Sequence, residues 1–262
     1  TDDGDGMSLE YAQTRARFEP LVEVMQHKGA SECYFKQGLT EDELCAFEQL
    51  PKDNIAGFND PPRPDTGFLR QVLGAGLSLQ QRLGINPYKF GMVGSTDSHT
   101  SLSTAEEDNF FGKHSGVEPE PNRWEHLVIE APNPEFSIYG WKQASGGFAG
   151  VWATENTREA IFDAFERREV YATTGSRMLV RFFGGWDYQP ADLKDRNFAW
   201  AGYQKGVPMG GDLKAASAGK VPTFLIAAMK DSIGANLDRY QIIKGWVDAD
   251  GKTHERVYDV TW

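Results

Sequence analysis

Apolar positions along the chain follow a helical period in some stretches and an alternating one in others, and the two interleave over the first part of the chain. Leu9, Ala12 and Ala16 fall on one face of a predicted helix over 7–18, which Glu19-Pro20 stops. Leu21-Val-Glu-Val-Met-Gln26 is rich in β-branched residues and free of breakers, so it predicts a strand. A polar loop over 27–39 follows. Thr40-Glu-Asp-Glu43 reads as a capping box that opens a helix through Leu44, Cys45, Phe47 and Leu50, ended by Pro51. Four prolines make 51–65 a loop. From Thr66, a second helix places Phe68, Leu69, Val72, Leu73, Leu77 and Leu83 on one side.

A short apolar strand then runs from Lys89 into Gly94-Ser-Thr-Asp-Ser-His-Thr100, and a long polar insertion reaches Gly147. Phe148–Ala153 reads as another strand. Asn156-Thr-Arg-Glu159 is a further capping box, and its helix turns Ala160, Ile161, Ala164 and Phe165 inward. Arg167 and Arg168 close that helix, where cations complement the helix dipole. Val170-Tyr-Ala172 is a last strand of this part. Strand, helix, strand is the signature of a parallel sheet.

At Gly175 the pattern changes. Residues 178–186, 196–203, 222–229, 238–248 and 255–262 are strand-like, and Asp248-Ala-Asp-Gly251 is a hairpin signal. The expected organisation is an α/β domain over 1–176 followed by an antiparallel β domain over 177–262. Arg239, Lys244 and Trp246 are either packing residues of that sheet or a ligand surface. Thr1-Asp-Asp-Gly-Asp-Gly and a strand running into Trp262 make the chain read as cut at both ends.

The 262 residues are 40% hydrophobic and 25% charged, enough for a sizeable core. A net charge of −11 argues against a nucleic-acid partner and against binding to anionic membranes. No apolar run approaches a membrane span, so membrane insertion is not expected. The glycine signatures of phosphate loops, dinucleotide folds and serine nucleophile turns are absent, as is Cys-x-x-Cys. Cys33 and Cys45 have two readings: reduced, buried residues of a cytoplasmic protein, or one disulfide in an oxidising compartment. Nearness in sequence and an even count favour the bridge.

The candidate chemistry gathers at Asp97 and His99. Residues two apart on an extended backbone face the same side, so a carboxylate and an imidazole can meet a common point. Mixed oxygen and nitrogen ligation suits Zn²⁺, Mn²⁺ or Fe²⁺. The alternative is a strand end in which Asp97 caps a turn. Glu23, His27 and Glu32 lie in or just after the first strand, where α/β folds place their chemistry; each is equally read as a structural polar residue. In the insertion, Lys113 and His114 can bind an anionic substrate or protonate a leaving group, or the same loop can be a structural one anchored by Phe110 and Phe111.

Gly94-Ser-Thr-Asp-Ser-His99 resembles the last metal motif of the PHP (polymerase and histidinol phosphatase) superfamily. More of the chain resembles the bacterial family DUF3604, a domain of unknown function with a PHP-like fold. The resemblance rests on Glu19–Val24, Lys28–Cys33, Gly94–His99, Asn109–His114, Ala149–Ala160, Arg167–Gly175 and Gln241–Trp246. It implies part of a distorted, TIM-like α/β barrel whose mouth holds divalent metal ions (Zn, Mn or Fe), with Asp97 and His99 as ligands and Glu32 as a further ligand or base. It also implies export to the periplasm, with the cytoplasm as the alternative. The His-x-His pair that opens the PHP motif set is missing here, so the implied site is completed by remaining parts of a longer chain, and this chain alone is expected to be inactive.

The leading expectation is therefore a metal-dependent hydrolase of a small anionic substrate, a phosphoester. A hydrolase of another ester or amide uses the same residue types. A non-catalytic exported module that binds a glycan or a protein is the alternative from another class, and in it Asp97 and His99 are structural.

Overall fold

The computed structural model describes residues 6–35, 40, 42–47, 67–99, 121–134, 137–144, 146–216 and 219–261. Helix α1 (Leu9–Phe18) is capped by Ser8, whose hydroxyl accepts from the Tyr11 amide at 3.2 Å, and it buries Ala12. Pro20 separates it from strand β1 (Leu21–Gln26). Strand β2 (Gly29–Ala30) folds back antiparallel on the end of β1, through Gly29 at φ 91°.

Helix α2 (Leu69–Leu83) has no side-chain cap. The segment after β2 caps it instead: the Leu69 amide donates to the Ser31 carbonyl at 2.9 Å and the Arg70 amide to the Glu32 carbonyl at 3.0 Å. Gly84, left-handed at φ 78°, ends the helix. Strand β3 (Gly91–Gly94) then pairs parallel to β1, with Leu21 opposite Gly91 and Met25 opposite Gly94.

Strands β4 (Leu127–Ile129) and β5 (Ile138–Tyr139) form a small antiparallel pair inside the polar insertion. Strand β6 (Phe148–Val151), helix α3 (Arg158–Glu166) and strand β7 (Val170–Thr173) follow. Next come strand β8 (Leu179–Gly185), helix α4 (Phe198–Lys205), strand β9 (Gly206–Pro208) and strand β10 (Thr223–Met229). The hairpin of β11 (Tyr240–Val247) and β12 (Thr253–Thr261) turns where the sequence predicts it, with the Gly251 amide donating to the Asp248 carbonyl at 3.1 Å.

The TIM-like barrel is not what forms. The strands make five separate sheets, ordered β2-β1-β3, β10-β8-β9, β11-β12, β4-β5 and β6-β7, and among the described residues none closes on itself. A barrel of that kind needs successive parallel neighbours. Here β1–β3 is the parallel pair, while β6 and β7 pair antiparallel across α3. β3 does lie against β6 and β7: a Cβ at Gly94 would meet the Phe148 and Thr173 carbonyl oxygens at 2.8 Å.

Local expectations change too. The first capping box dissolves: Asp42 caps a 3-10 turn over Glu43–Ala46, and Thr40 instead accepts from the Gln71 side chain at 3.2 Å. Thr157, not Asn156, caps α3. The strand expected over 196–203 is α4, because Phe198 and Ala199 pack on the buried cluster of Phe183, Tyr188 and Leu225. Cys33 and Cys45 are bridged, with Cα atoms 5.2 Å apart, as their nearness in sequence and even count favour. Among the described residues no helix is long and apolar enough to cross a membrane.

Arg70 ties distant parts together. Its guanidinium, 8% exposed, meets Glu32 at 2.7 Å, Asp42 at 2.9 Å and Glu255 of β12 at 3.3 Å. A second tie joins β7 to β8 and α4. Arg181 stacks 3.4 Å above the Trp152 ring and donates to Tyr203 at 2.9 Å, and Tyr203 donates to the buried Glu169.

Candidate functional site at the ends of two parallel strands

β1 and β3 run side by side in the same direction, so their carboxyl ends deliver side chains to one edge. The ladder continues past both strands: the Ser95 amide donates to the Met25 carbonyl at 2.9 Å, and the His27 amide to the Thr96 carbonyl at 3.3 Å. Backbone contacts with the insertion hold this edge, since Gly147 donates to the Ser95 carbonyl at 2.8 Å and Ala144 to the His27 carbonyl at 3.0 Å. Gly146 sits at φ 108°, where a Cβ would meet the Thr96 Cα at 2.9 Å, so glycine lets the two segments approach.

Asp97 departs from the strand. Its φ of 54° is left-handed, a conformation that aspartate tolerates better than most residues. One carboxylate oxygen, Oδ2, accepts from Gln26 Nε2 at 2.8 Å. The other, Oδ1, lies 3.3 Å from His99 Nε2. The Ser98 amide donates to Thr96 Oγ1 at 3.2 Å and shapes the turn between them. Asp97 and His99 thus meet, but through a left-handed turn rather than by alternation along a strand. Both are accessible, at 37% and 52% exposure, so an ion or substrate can reach them.

The other expected site residues go elsewhere. Glu32 is engaged by Arg70, with Nε donating at 3.0 Å. Glu23 is exposed and accepts from the Ser95 hydroxyl. His27 is 1% exposed, with its ring beside Gly146. Lys28 donates to Ser31. Lys113 and His114 lie outside the described residues. Among the described residues no three His, Cys, Asp or Glu side chains converge to hold a metal, which corrects the expectation of a metal-binding cluster there. The donor chemistry of Asp97 and His99 fits a divalent transition metal. Their number does not, because such sites take three or more protein ligands.

Gln26 is the residue that sequence reading missed. It closes β1, and only the parallel register, with Met25 opposite Gly94, brings its amide to Asp97.

The family model described as "Protein of unknown function (DUF3604)" matches residues 1–262. No curated protein and no solved structure matches the chain.

Proposed function

The chain belongs to the DUF3604 family, and on that premise we propose that it serves a metal-dependent hydrolase of small phosphoesters, with Asp97 and His99 as its contribution to the metal centre. The carrying observation is the accessible Asp97–His99 pair, 3.3 Å apart on a left-handed turn at the carboxyl ends of two parallel strands. Ligand sites of α/β sheets collect at that edge. The Gly94–His99 motif supports kinship with the PHP metallohydrolases through the motif itself, not through a barrel.

A divalent ion bound there would lower the pKa of a bound water and polarise a phosphoryl oxygen. The protein's own part is positional. Gln26 holds one carboxylate oxygen and leaves the other directed at His99. The two strand ends fix the turn from which both side chains project. Further ligands must come from outside the described residues. Lys113 and His114 are proposed, from residue type alone, as the cation that meets the substrate anion and the proton donor to its leaving group. Glu32 is left out of this set, because Arg70 already engages it. The Cys33–Cys45 bridge supports a periplasmic or secreted setting.

The test is elemental analysis of the purified chain after reconstitution with Zn²⁺, Mn²⁺ or Fe²⁺, beside an Asp97→Ala/His99→Ala double variant. Bound metal that the variant loses is the expected result. No retained metal in either protein overturns the reading.

A further inference from the structure

Beside α2 lies an open cavity of about 1180 Å³, lined by α2, β1, β3, β7, β8, β10 and the β11–β12 hairpin. Val24, Met92, Val180, Phe182, Ile226 and Ile243 give it a largely apolar wall. Neither Asp97 nor His99 lines it, so it is separate from the proposed hydrolytic pair.

Four basic side chains of arginine or lysine reach its wall, and their pairing differs. Arg70 is matched by Glu32, Asp42 and Glu255. Lys89 is matched by Asp212 at 2.9 Å, and Arg239 by Asp238 at 2.6 Å. Arg168 has no carboxylate within ion-pair reach among the described residues. It stands just beyond α3 at φ 59°, and its Nη1 donates to the Lys89 carbonyl at 2.9 Å. Its Nε is buried and, among the described residues, has no hydrogen-bond partner. Among the described residues Nη2 has none either, so the whole Nε–Nη2 edge is open. Glu19 and Glu166 share a smaller neighbouring cavity of about 380 Å³ with Arg168, yet neither pairs with it.

A buried guanidinium N–H without an acceptor is costly, as at Nε here, and such groups in folded proteins are otherwise satisfied by a partner, water or ligand. The Nε–Nη2 edge is a planar fork that matches a carboxylate bidentately. Apolar walls with a few placed polar groups characterise small-molecule sites.

We propose that this cavity binds an amphipathic carboxylate, its headgroup on the Nε–Nη2 edge of Arg168 and its aliphatic body against the apolar wall. Both halves are needed: acetate lacks the body, and decanol lacks the charge. The proposal does not depend on the hydrolase reading.

The probe is 11-(dansylamino)undecanoic acid, whose emission rises in apolar sites, titrated into the full chain and displaced by decanoate, decanol or acetate. The expected result is saturable binding at one site, displaced by decanoate but only weakly by decanol or acetate. Arg168→Met should weaken decanoate by about tenfold or more, as loss of a charge-assisted pair predicts. Ala228→Phe, which adds bulk to the cavity wall from β10, should abolish probe binding. Circular dichroism identifies a variant that has failed to fold, and the other then carries the test. No saturable binding to the unaltered chain overturns the proposal, as does decanoate affinity unchanged in folded Arg168→Met or in folded Ala228→Phe.

Discussion

The side-chain amide of Gln26 donates to Oδ2 of Asp97 at 2.8 Å, across 71 residues of sequence. This bond joins the ends of two neighbouring parallel strands and orients the carboxylate toward His99. Removing it should leave both donors present but poorly aimed. Gln26→Leu is expected to weaken divalent-metal binding by about 10–100-fold, the usual effect of losing a partner that orients a ligand. Calorimetric titration with Zn²⁺ measures it, and unchanged affinity would show that Asp97 needs no such support.

The bridge between Cys33 and Cys45 closes a short loop, at a sequence separation of 12. By chain entropy it contributes about 3 kcal/mol through restriction of the unfolded chain. Denaturant unfolding with and without reductant should differ by that amount, and a Cys33→Ala/Cys45→Ala variant should match the reduced protein.

Arg70 and its partners differ in burial, and the cost of breaking them should follow. Arg70 is 8% exposed and Asp42 3%, while Glu32 is 49% exposed. Arg70→Met strands Asp42 and Glu255 and should cost about 3–5 kcal/mol. Glu32→Gln removes a half-exposed partner and should cost about 0–1 kcal/mol. Equal losses in chemical denaturation would contradict this ranking.

Asp248 anchors the β11–β12 turn. Hydrogen bonds from the His254 ring and then from the Lys252 amide hold its carboxyl below the ordinary 3.8. A depressed carboxyl contributes stability that is fully present above its unfolded value and is lost as pH falls through the folded one. The hairpin should therefore loosen as pH falls below the ordinary carboxylate range. The Trp246 indole, stacked on His254 with ring centres 5.2 Å apart, reports it by NMR. Asp248→Asn should remove this acid transition at Trp246.

Gly202 lies in α4, where alanine would ordinarily favour the helix by about 1 kcal/mol. Here a Cβ would meet the Phe183 ring at 2.6 Å, and Phe183 is 0% exposed. Overlap should reverse the sign, so Gly202→Ala is expected to destabilise by about 1–3 kcal/mol. A rise in Tm would show that Phe183 can move aside.

Much of the local order was legible because it follows from periodicity. β1 ends where its apolar run ends, and Ala12, Ala160 and Ala164 are buried on the faces that their spacing marks. Asp97 and His99 were also readable as a pair, since two polar residues close a short strand. Asp97's left-handed backbone was not, because a positive φ at a non-glycine residue leaves no pattern in composition. α4 misled for a different reason. Phe198, Trp200 and Tyr203 favour strands, but Ala201 and Gly202 let a helix settle on Phe183. The barrel expectation came from the family resemblance, and the parallel-sheet expectation from strand order along the chain, which does not say whether neighbours such as β6 and β7 pair parallel. Arg168 was explained by the helix dipole; its place beyond α3, beside a cavity, depends on how β3, β7 and β10 come together.

The reach of Arg70 has a consequence for synthesis. When Arg70 of α2 is added to the growing chain, Glu255 is still 185 residues from being made. Thr253, which packs against Gly74 of the same helix, is equally distant in time. At about 5–20 residues per second, that interval is roughly 10–40 s. Throughout it the apolar stripe of α2 lacks its hairpin cover, which leaves nascent α2 open to chaperone capture.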